Sequence, residues 1–158
     1  TWALRGHTPL LVSSGSWKNL TMVGIIVTTP AGRNSRLFLR TIAGGLTSEA
    51  AIRFLKELRR HLRGRKLLLI WDGLPIHRSK IVSRYLMEQR SWLKVERFPA
   101  YAPELNPIEY CWGAMKTKHL GNLRAEGMRG LGRAVRRAKR TMNDRVLLNG
   151  FLKASALY

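Results

Sequence analysis

The chain has 158 residues, 45% of them hydrophobic, which is the size of one globular domain with enough apolar material for a core. Its 29 Lys and Arg residues oppose nine Asp and Glu, and the net charge of +20 favours nucleic acid as a partner over a merely well-solvated surface. The single Cys111 excludes a disulfide framework and a cysteine-based zinc site within the chain, and the longest apolar run near the start, residues 22–27, is too short to span a bilayer, so we expect a reducing, cytoplasmic setting and no membrane.

The first half of the chain predicts two strands, a helix and a third strand. Residues 22–29 (MVGIIVTT) and 36–42 (RLFLRTI) are apolar runs on either side of turn residues, which is typical of a hairpin-like pair. A helix follows, capped by Thr47 or Ser48, with apolar residues at i, i+3 and i+4. Residues 67–71 (LLLIW) show no alternation, which favours a strand that is covered on both faces.

The second half predicts a helix over residues 79–89, a strand over 93–98 and, after a loop, a helix over 107–119. This order of elements indicates an α/β fold, with a sheet between layers of helices. Functional sites in such sheets lie outside the carboxyl ends of the strands, where Asp72 follows the third strand. Aspartate before glycine is also a common turn starter, so position alone leaves Asp72 open between the two roles.

Glu109 is the second acid of interest. Asn106 is a good N-cap and Pro107 suits the first helical position, so Glu109 lies in the first turn, beside the positive end of the helix. From there it can point back over the edge of the sheet. The simpler interpretation is that its negative charge interacts with the helix dipole and stabilises the helix by about 0.3–1 kcal/mol. For Glu109 taken in isolation, this interpretation is slightly favoured.

Two stretches, WDGLPIHRS at residues 71–79 and FPAYAPELNPIEYCWGAMK at 98–116, together resemble the catalytic core of DDE transposases of the mariner-like superfamily, in particular their bacterial insertion-sequence branch. The resemblance runs over residues 40–120. It implies an RNase H-like fold, a mixed sheet with helices on both faces, with the family's second catalytic acid at Asp72 and its third at Glu109. These two carboxylates would be the metal ligands as well, holding Mg²⁺ or Mn²⁺ for DNA strand cleavage and strand transfer, because hard cations prefer oxygen ligands.

The family's first aspartate has no counterpart in this chain. Before Asp72 the only acids are Glu49 and Glu57, on a helix that follows the family's second and third strands, and residues 2–9 (WALRGHTP) resemble the segment just after the missing acid. We therefore expect an N-terminally truncated chain whose first strand is partly or wholly missing, inactive unless an upstream polypeptide supplies that strand and its Asp. A non-catalytic DNA-binding remnant and a basic structural nucleic-acid-binding protein are the alternatives.

Basic residues predict the contacts with DNA. The resemblance places His77 in an aspartate-x-x-x-x-histidine turn, where it orients Asp72, touches a phosphate or serves only the structure. The core spans residues 1–120, and residues 121–158 predict a basic helical segment that packs on the same domain. Transposon ends and target DNA, near the bacterial nucleoid, are the expected partners, with a homodimer as a further expectation. The residues expected at the DNA are His77, Arg78, Lys116, Lys118, Arg133, Arg136, Arg137 and Arg140.

Overall fold

Four strands and five α-helices make up the described part of the chain. The computed structural model describes residues 19–121, 123 and 127–155, so the segment at residues 2–9 lies outside the described residues, as do parts of the C-terminal segment. The elements are β1 (Leu20–Val27), β2 (Arg36–Ala43), α1 (Ser48–His61), β3 (Leu67–Trp71), α2 (Lys80–Glu88), β4 (Leu93–Arg97), α3 (Pro107–Met115), α4 (Gly127–Met142) and α5 (Arg145–Ala154). None of these described helices is long and apolar enough to cross a membrane.

Local side-chain hydrogen bonds explain where several elements begin and end. The Thr47 hydroxyl caps α1 by accepting from the Ala50 amide, and the Asp144 carboxylate caps α5 by accepting from the Leu147 amide at 2.9 Å. Strand β1 stops at Val27 rather than at residue 29, because the Thr28 hydroxyl donates to the Arg33 carbonyl in the following turn at 3.2 Å.

The helix predicted over residues 107–119 is α-helical only to Met115. A π-helical turn over Lys116–Leu120 continues it. The Thr117 hydroxyl donates to the Gly113 carbonyl at 2.9 Å and so competes with the backbone for that acceptor, and Gly121 then ends the turn.

The described strands form two separate two-stranded sheets, where the sequence predicted one mixed sheet. Strands β1 and β2 are antiparallel, with Leu20 opposite Ala43, whereas β3 and β4 are parallel, with Trp71 opposite Arg97. Antiparallel and parallel pairing are thus both present, as expected. The sheet is divided because no described strand lies between β1 and β3.

Helices cover both faces of β2, and the core is correspondingly divided in two. Alternation along the strand sends Leu37 and Leu39 to one face and Phe38 to the other, and all three are buried. The first face packs against α3, α4 and α5 through Cys111, Met115, Val135, Ala138, Met142 and Leu148. The second packs against α1, α2, β3 and β4 through Phe54, Leu55, Leu58, Leu69, Tyr85, Trp92 and Leu93.

Strand β3 is covered on one face only, so the prediction that both of its faces are covered is wrong. Leu69 is buried, whereas Leu68 on the opposite face is 54% exposed and Ile70 is 37% exposed. A groove of about 450 Å³, lined by residues of β1, β3, α1 and α3, leaves that face open.

Candidate active site

Asp72 lies at the carboxyl end of β3, where the sequence predicted it. Its Oδ1 accepts a hydrogen bond from the Leu74 amide at 3.2 Å, which is the turn-starting role, and lies 2.8 Å from Nδ1 of His77. The side chain remains 44% exposed. Asp72 therefore starts the turn and still presents its carboxylate at the edge of the sheet.

His77 fixes the orientation of Asp72. Its ring stacks on Trp71 with 4.0 Å between the ring centroids and an angle of 4° between the planes, and its side chain is only 12% exposed. The hydrogen bond from His77 is the main cause that lowers the pKa of Asp72 below its ordinary value, burial acts in the opposite direction, and the Leu74 amide lowers it further. Asp72 is thus an ionised, oriented carboxylate at neutral pH.

Glu109 lines the same cleft as Asp72, although the two residues are 37 positions apart in the sequence. The cleft has a volume of about 600 Å³. Asn106 caps α3 by accepting from the Ile108 amide at 3.4 Å and from the Glu109 amide through its carbonyl at 3.0 Å. This cap holds the first turn of α3, and with it the Glu109 backbone, at the border of the cleft.

Two arginines add positive charge to this cleft. Arg78 was predicted as a DNA contact and lines the cleft, whereas Arg97 also lines it and was missed. Arg97 is the last residue of β4 and pairs with Trp71 on the neighbouring parallel strand, a register that the sequence does not indicate. Tyr101, which is fully exposed and has a left-handed backbone φ of 58°, completes this border.

The other predicted DNA contacts lie elsewhere. Lys116 and Lys118 are exposed on the π-helical turn and do not line the cleft of Asp72 and Glu109. Arg133 and Arg136 line a separate cleft of about 380 Å³, together with Arg129. The last two of the predicted set, Arg137 and Arg140, are exposed on α4.

Lys139, between these exposed arginines, turns inward. Its Nζ donates to the Leu39 carbonyl at 3.2 Å, and burial lowers its pKa, with the neighbouring Arg40 acting in the same direction. This lysine ties α4 to β2 and is not part of the exposed basic surface.

The cleft offers the oxygen ligands that a divalent cation prefers, but among the described residues it offers only two carboxylates. Carboxylate oxygens are the ligands that Mg²⁺ and Mn²⁺ prefer, and Asp72 and Glu109 supply two. Within residues 19–121, 123 and 127–155, no group of three His, Cys, Asp or Glu side chains comes together. Glu57 is engaged in an ion pair with Arg40. A third carboxylate would have to come from outside the described residues.

Solved structures of Mos1 transposase share this fold. The Mos1 mariner paired-end complex with Mn matches with a TM-score of 0.67 at 15% identity, over 99% of this chain and 47% of that chain. The Mos1 strand transfer complex gives 0.64 at 14%, over 99% and 45%, and the Mos1 catalytic domain gives 0.61 at 17%, over 87% and 76%. The chain thus spans about half the length of the first two, and the likeness establishes the expected RNase H-like α/β fold.

Sequence comparisons give the family. No curated protein matches the chain. The model of the family described as DDE superfamily endonuclease matches residues 1–130, which is most of the chain and includes Asp72 and Glu109. This match confirms the superfamily that the two motifs predicted, and the chain belongs to the DDE superfamily endonucleases.

Proposed function

We propose that this chain is the catalytic part of a DNA transposase, in which Asp72 and Glu109 bind Mg²⁺ or Mn²⁺ for DNA strand cleavage and strand transfer. The observation that carries the proposal is the position of both acids on one cleft at the carboxyl ends of the strands, in a member of the DDE family. The Mos1 structures with Mn and Mg support the choice of cations.

The side chains of the cleft divide the work between them. His77 donates to Asp72 and keeps its carboxylate ionised and directed toward the cleft. Bound divalent cations would activate the attacking oxygen and stabilise the leaving oxygen of the phosphodiester. Arg78 and Arg97 bring positive charge to the same cleft, where a DNA phosphate lies. We assign His77 to positioning rather than to a phosphate, because its ring is 12% exposed and already paired.

The two carboxylates alone should bind metal weakly, because the family resemblance implies a third acid as a further ligand. We propose that an upstream polypeptide supplies it, and that the chain without that acid cleaves no DNA.

Affinity for DNA comes from basic side chains away from the cleft. Arg133 and Arg136, with Arg137 and Arg140 on the same helix, contact phosphates without reading sequence, and the lysines of the π-helical turn add to this surface. The partners are transposon ends and target DNA, with a second copy of the chain completing a dimer. We place this activity in the bacterial cytoplasm at the nucleoid, within the insertion-sequence branch of the family.

Metal binding by the full chain tests the proposal. Mn²⁺ affinity is measured by electron paramagnetic resonance for the wild type, Asp72→Asn, Glu109→Gln and the control Glu104→Gln, an exposed acid that does not line the cleft. The first two variants should each lower the affinity at least tenfold, and the control should not. Unchanged Mn²⁺ binding in Glu109→Gln would contradict the proposed metal site. Robust Mg²⁺-dependent nicking of plasmid by the chain alone would contradict the need for a third acid from another polypeptide.

A DNA-binding remnant without catalysis is the second candidate. It is favoured by one observation, the lack of a third clustered acid among the residues that the structure describes. It predicts salt-dependent DNA binding together with Mn²⁺ binding that none of the acid substitutions changes. The same measurements therefore separate the two functions.

A further inference from the structure

Tyr101 is the only exposed aromatic side chain in the described part of the chain. Its ring is as accessible to solvent as it would be in an extended peptide. A single exposed apolar side chain is common on protein surfaces and needs no explanation by itself. This one, however, lines the cleft of Asp72 and Glu109, where a substrate is expected.

The backbone at Tyr101 is strained. Its φ of 58° lies in the left-handed region, which a bulky side chain adopts at an energetic cost that glycine avoids. Such strain is typical of functional sites. The exposed ring offsets none of this cost by burial, so the stability of the chain does not explain a tyrosine at this position.

The loop that carries Tyr101 is fixed at both ends. Where the loop leaves β4, the Phe98 amide donates to the Trp71 carbonyl of the neighbouring strand at 3.0 Å. Where the loop reaches α3, the Asn106 amide donates to the Pro103 carbonyl, also at 3.0 Å. A ring presented from such a loop binds a partner with a small loss of conformational entropy.

The lining of the cleft combines charged side chains with an apolar loop. Arg78 and Arg97 supply positive charge, whereas residues 98–103 (FPAYAP) carry no charge at all. A nucleotide is divided in the same way, into a charged phosphate and a flat base. Guanidinium groups suit the phosphate, and an aromatic ring suits the face of any base, so the cleft has a partner for each part of a nucleotide.

Stacking also selects the state of the base. In a paired duplex both faces of a base are covered by its neighbours, so the ring of Tyr101 can reach only a base that has left the stack. We propose that Tyr101 stacks on an unpaired nucleobase beside the phosphate held in the cleft, and so directs the chain to DNA with a locally opened base pair. The presence of DNA in this cleft rests on the proposed function, whereas the preference for an unpaired base rests on the exposed ring.

Two DNA probes test the proposal with the full chain. Both contain the same strand with one 2-aminopurine, a fluorescent base, which is paired with thymine in one probe and left unpaired as a single-base bulge in the other. The wild type should bind the bulged probe at least about fivefold more tightly in competition anisotropy, because stacking on an aromatic side chain favours binding. The fluorescence of the unpaired 2-aminopurine should decrease on binding, which reports the stacking itself.

Substitutions of Tyr101 separate stacking from a structural role. Tyr101→Phe keeps the ring and should keep both the preference and the fluorescence decrease, whereas Tyr101→Ala should lose both while binding the paired probe like the wild type. Tyr101→Gly should lose them as well, but it should not lower the urea midpoint of unfolding, because glycine adopts a positive φ without strain. The matched control is Met87→Ala, an exposed position on α2 that does not line the cleft, and it should behave like the wild type.

Three results would overturn the proposal: equal affinity of the wild type for the two probes, an unchanged preference in Tyr101→Ala, or the same loss of preference in Met87→Ala. The metal site is read separately. If both probes bind equally while Asp72→Asn weakens Mn²⁺ binding, the metal site stands and the base site fails. If the preference depends on Tyr101 while Asp72→Asn leaves Mn²⁺ binding unchanged, the base site stands and the proposed metal site fails.

Discussion

The two arginines of α4 that line one cleft provide a quantitative test of the proposed DNA contacts. Arg133 and Arg136 lie one turn apart on the exposed side of the helix, and both border the cleft of about 380 Å³. Replacing both by Gln removes two positive charges without touching Val135 or Ala138, which are buried on the opposite side. The fold should therefore be retained.

The magnitude follows from counterion release. Each phosphate neutralised on duplex DNA contributes about 0.9 to the slope of log K against log salt concentration. The double substitution should lower that slope by about 0.9 if the two side chains share one phosphate, and by about 1.8 if each neutralises its own. Between about 50 and 200 mM KCl, the wild type should then lose about 3- to 12-fold more affinity than the variant.

Fluorescence anisotropy of a labelled duplex of arbitrary sequence, titrated at several KCl concentrations, gives both slopes. The matched control is Arg53→Gln with Arg60→Gln, which removes the same charge from exposed positions of α1. The control should leave the slope within about 0.3 of the wild type. An equal decrease in both double variants would refute the assignment, because affinity would then depend on total charge and not on α4.

Three further predictions concern the site and the core. Replacing His77 by Phe keeps an aromatic ring against Trp71 but removes the hydrogen-bond donor to Asp72. The affinity for Mn²⁺ should therefore fall about 10- to 100-fold, while the affinity for DNA stays constant. A decrease in DNA affinity alone would instead indicate that the ring contacts a phosphate. Burial raises the pKa of Cys111 from 9.0 to about 11, so the unfolded chain releases that proton first. The free energy of unfolding should therefore fall by about 2 kcal/mol as pH rises from 9 to 11, and urea denaturation should find this decrease smaller in Cys111→Ala. If α5 packs on the same domain as the core, Leu148→Ala should lower the free energy of unfolding by about 2–5 kcal/mol, with unfolding still in one cooperative transition. The control Val146→Ala, at a position that is 81% exposed, should change this free energy by less than about 0.5 kcal/mol. A separate early transition would show that the segment folds by itself.

Local patterns in the sequence were sufficient for the elements that position the site. The β3 strand begins and ends where the apolar run predicts, and Asn106 caps α3 as expected. Asp72 and Glu109 line one cleft because each follows a short-range rule, one at the end of an apolar strand and one in the first turn of a capped helix. The family resemblance added the connection between the two, which spacing alone did not provide.

Features that depend on distant partners could not be predicted from local patterns. Leu68 and Ile70 are apolar, so the sequence predicts that both faces of β3 are buried. Their actual exposure depends on whether another strand lies beside β3. Arg97 lines the cleft of Asp72 because the register of β3 and β4 pairs it with Trp71. The π-helical turn after Met115 arises from a competing hydroxyl and a closing glycine, which the apolar periodicity of the helix does not report.

The charges of the cleft link the binding of a metal, a third acid and DNA to one another. Asp72 and Glu109 bring two negative charges, and Arg78 and Arg97 bring two positive ones, so a divalent cation enters a cleft with no net negative charge. The third acid proposed above would make the net charge negative, and so would a DNA phosphate. If one of them raises the affinity for the metal by some factor, the metal raises the affinity for it by the same factor, because coupling free energies between sites are reciprocal. We therefore expect the affinity of the cleft for a divalent cation to increase when DNA or a third acid is bound.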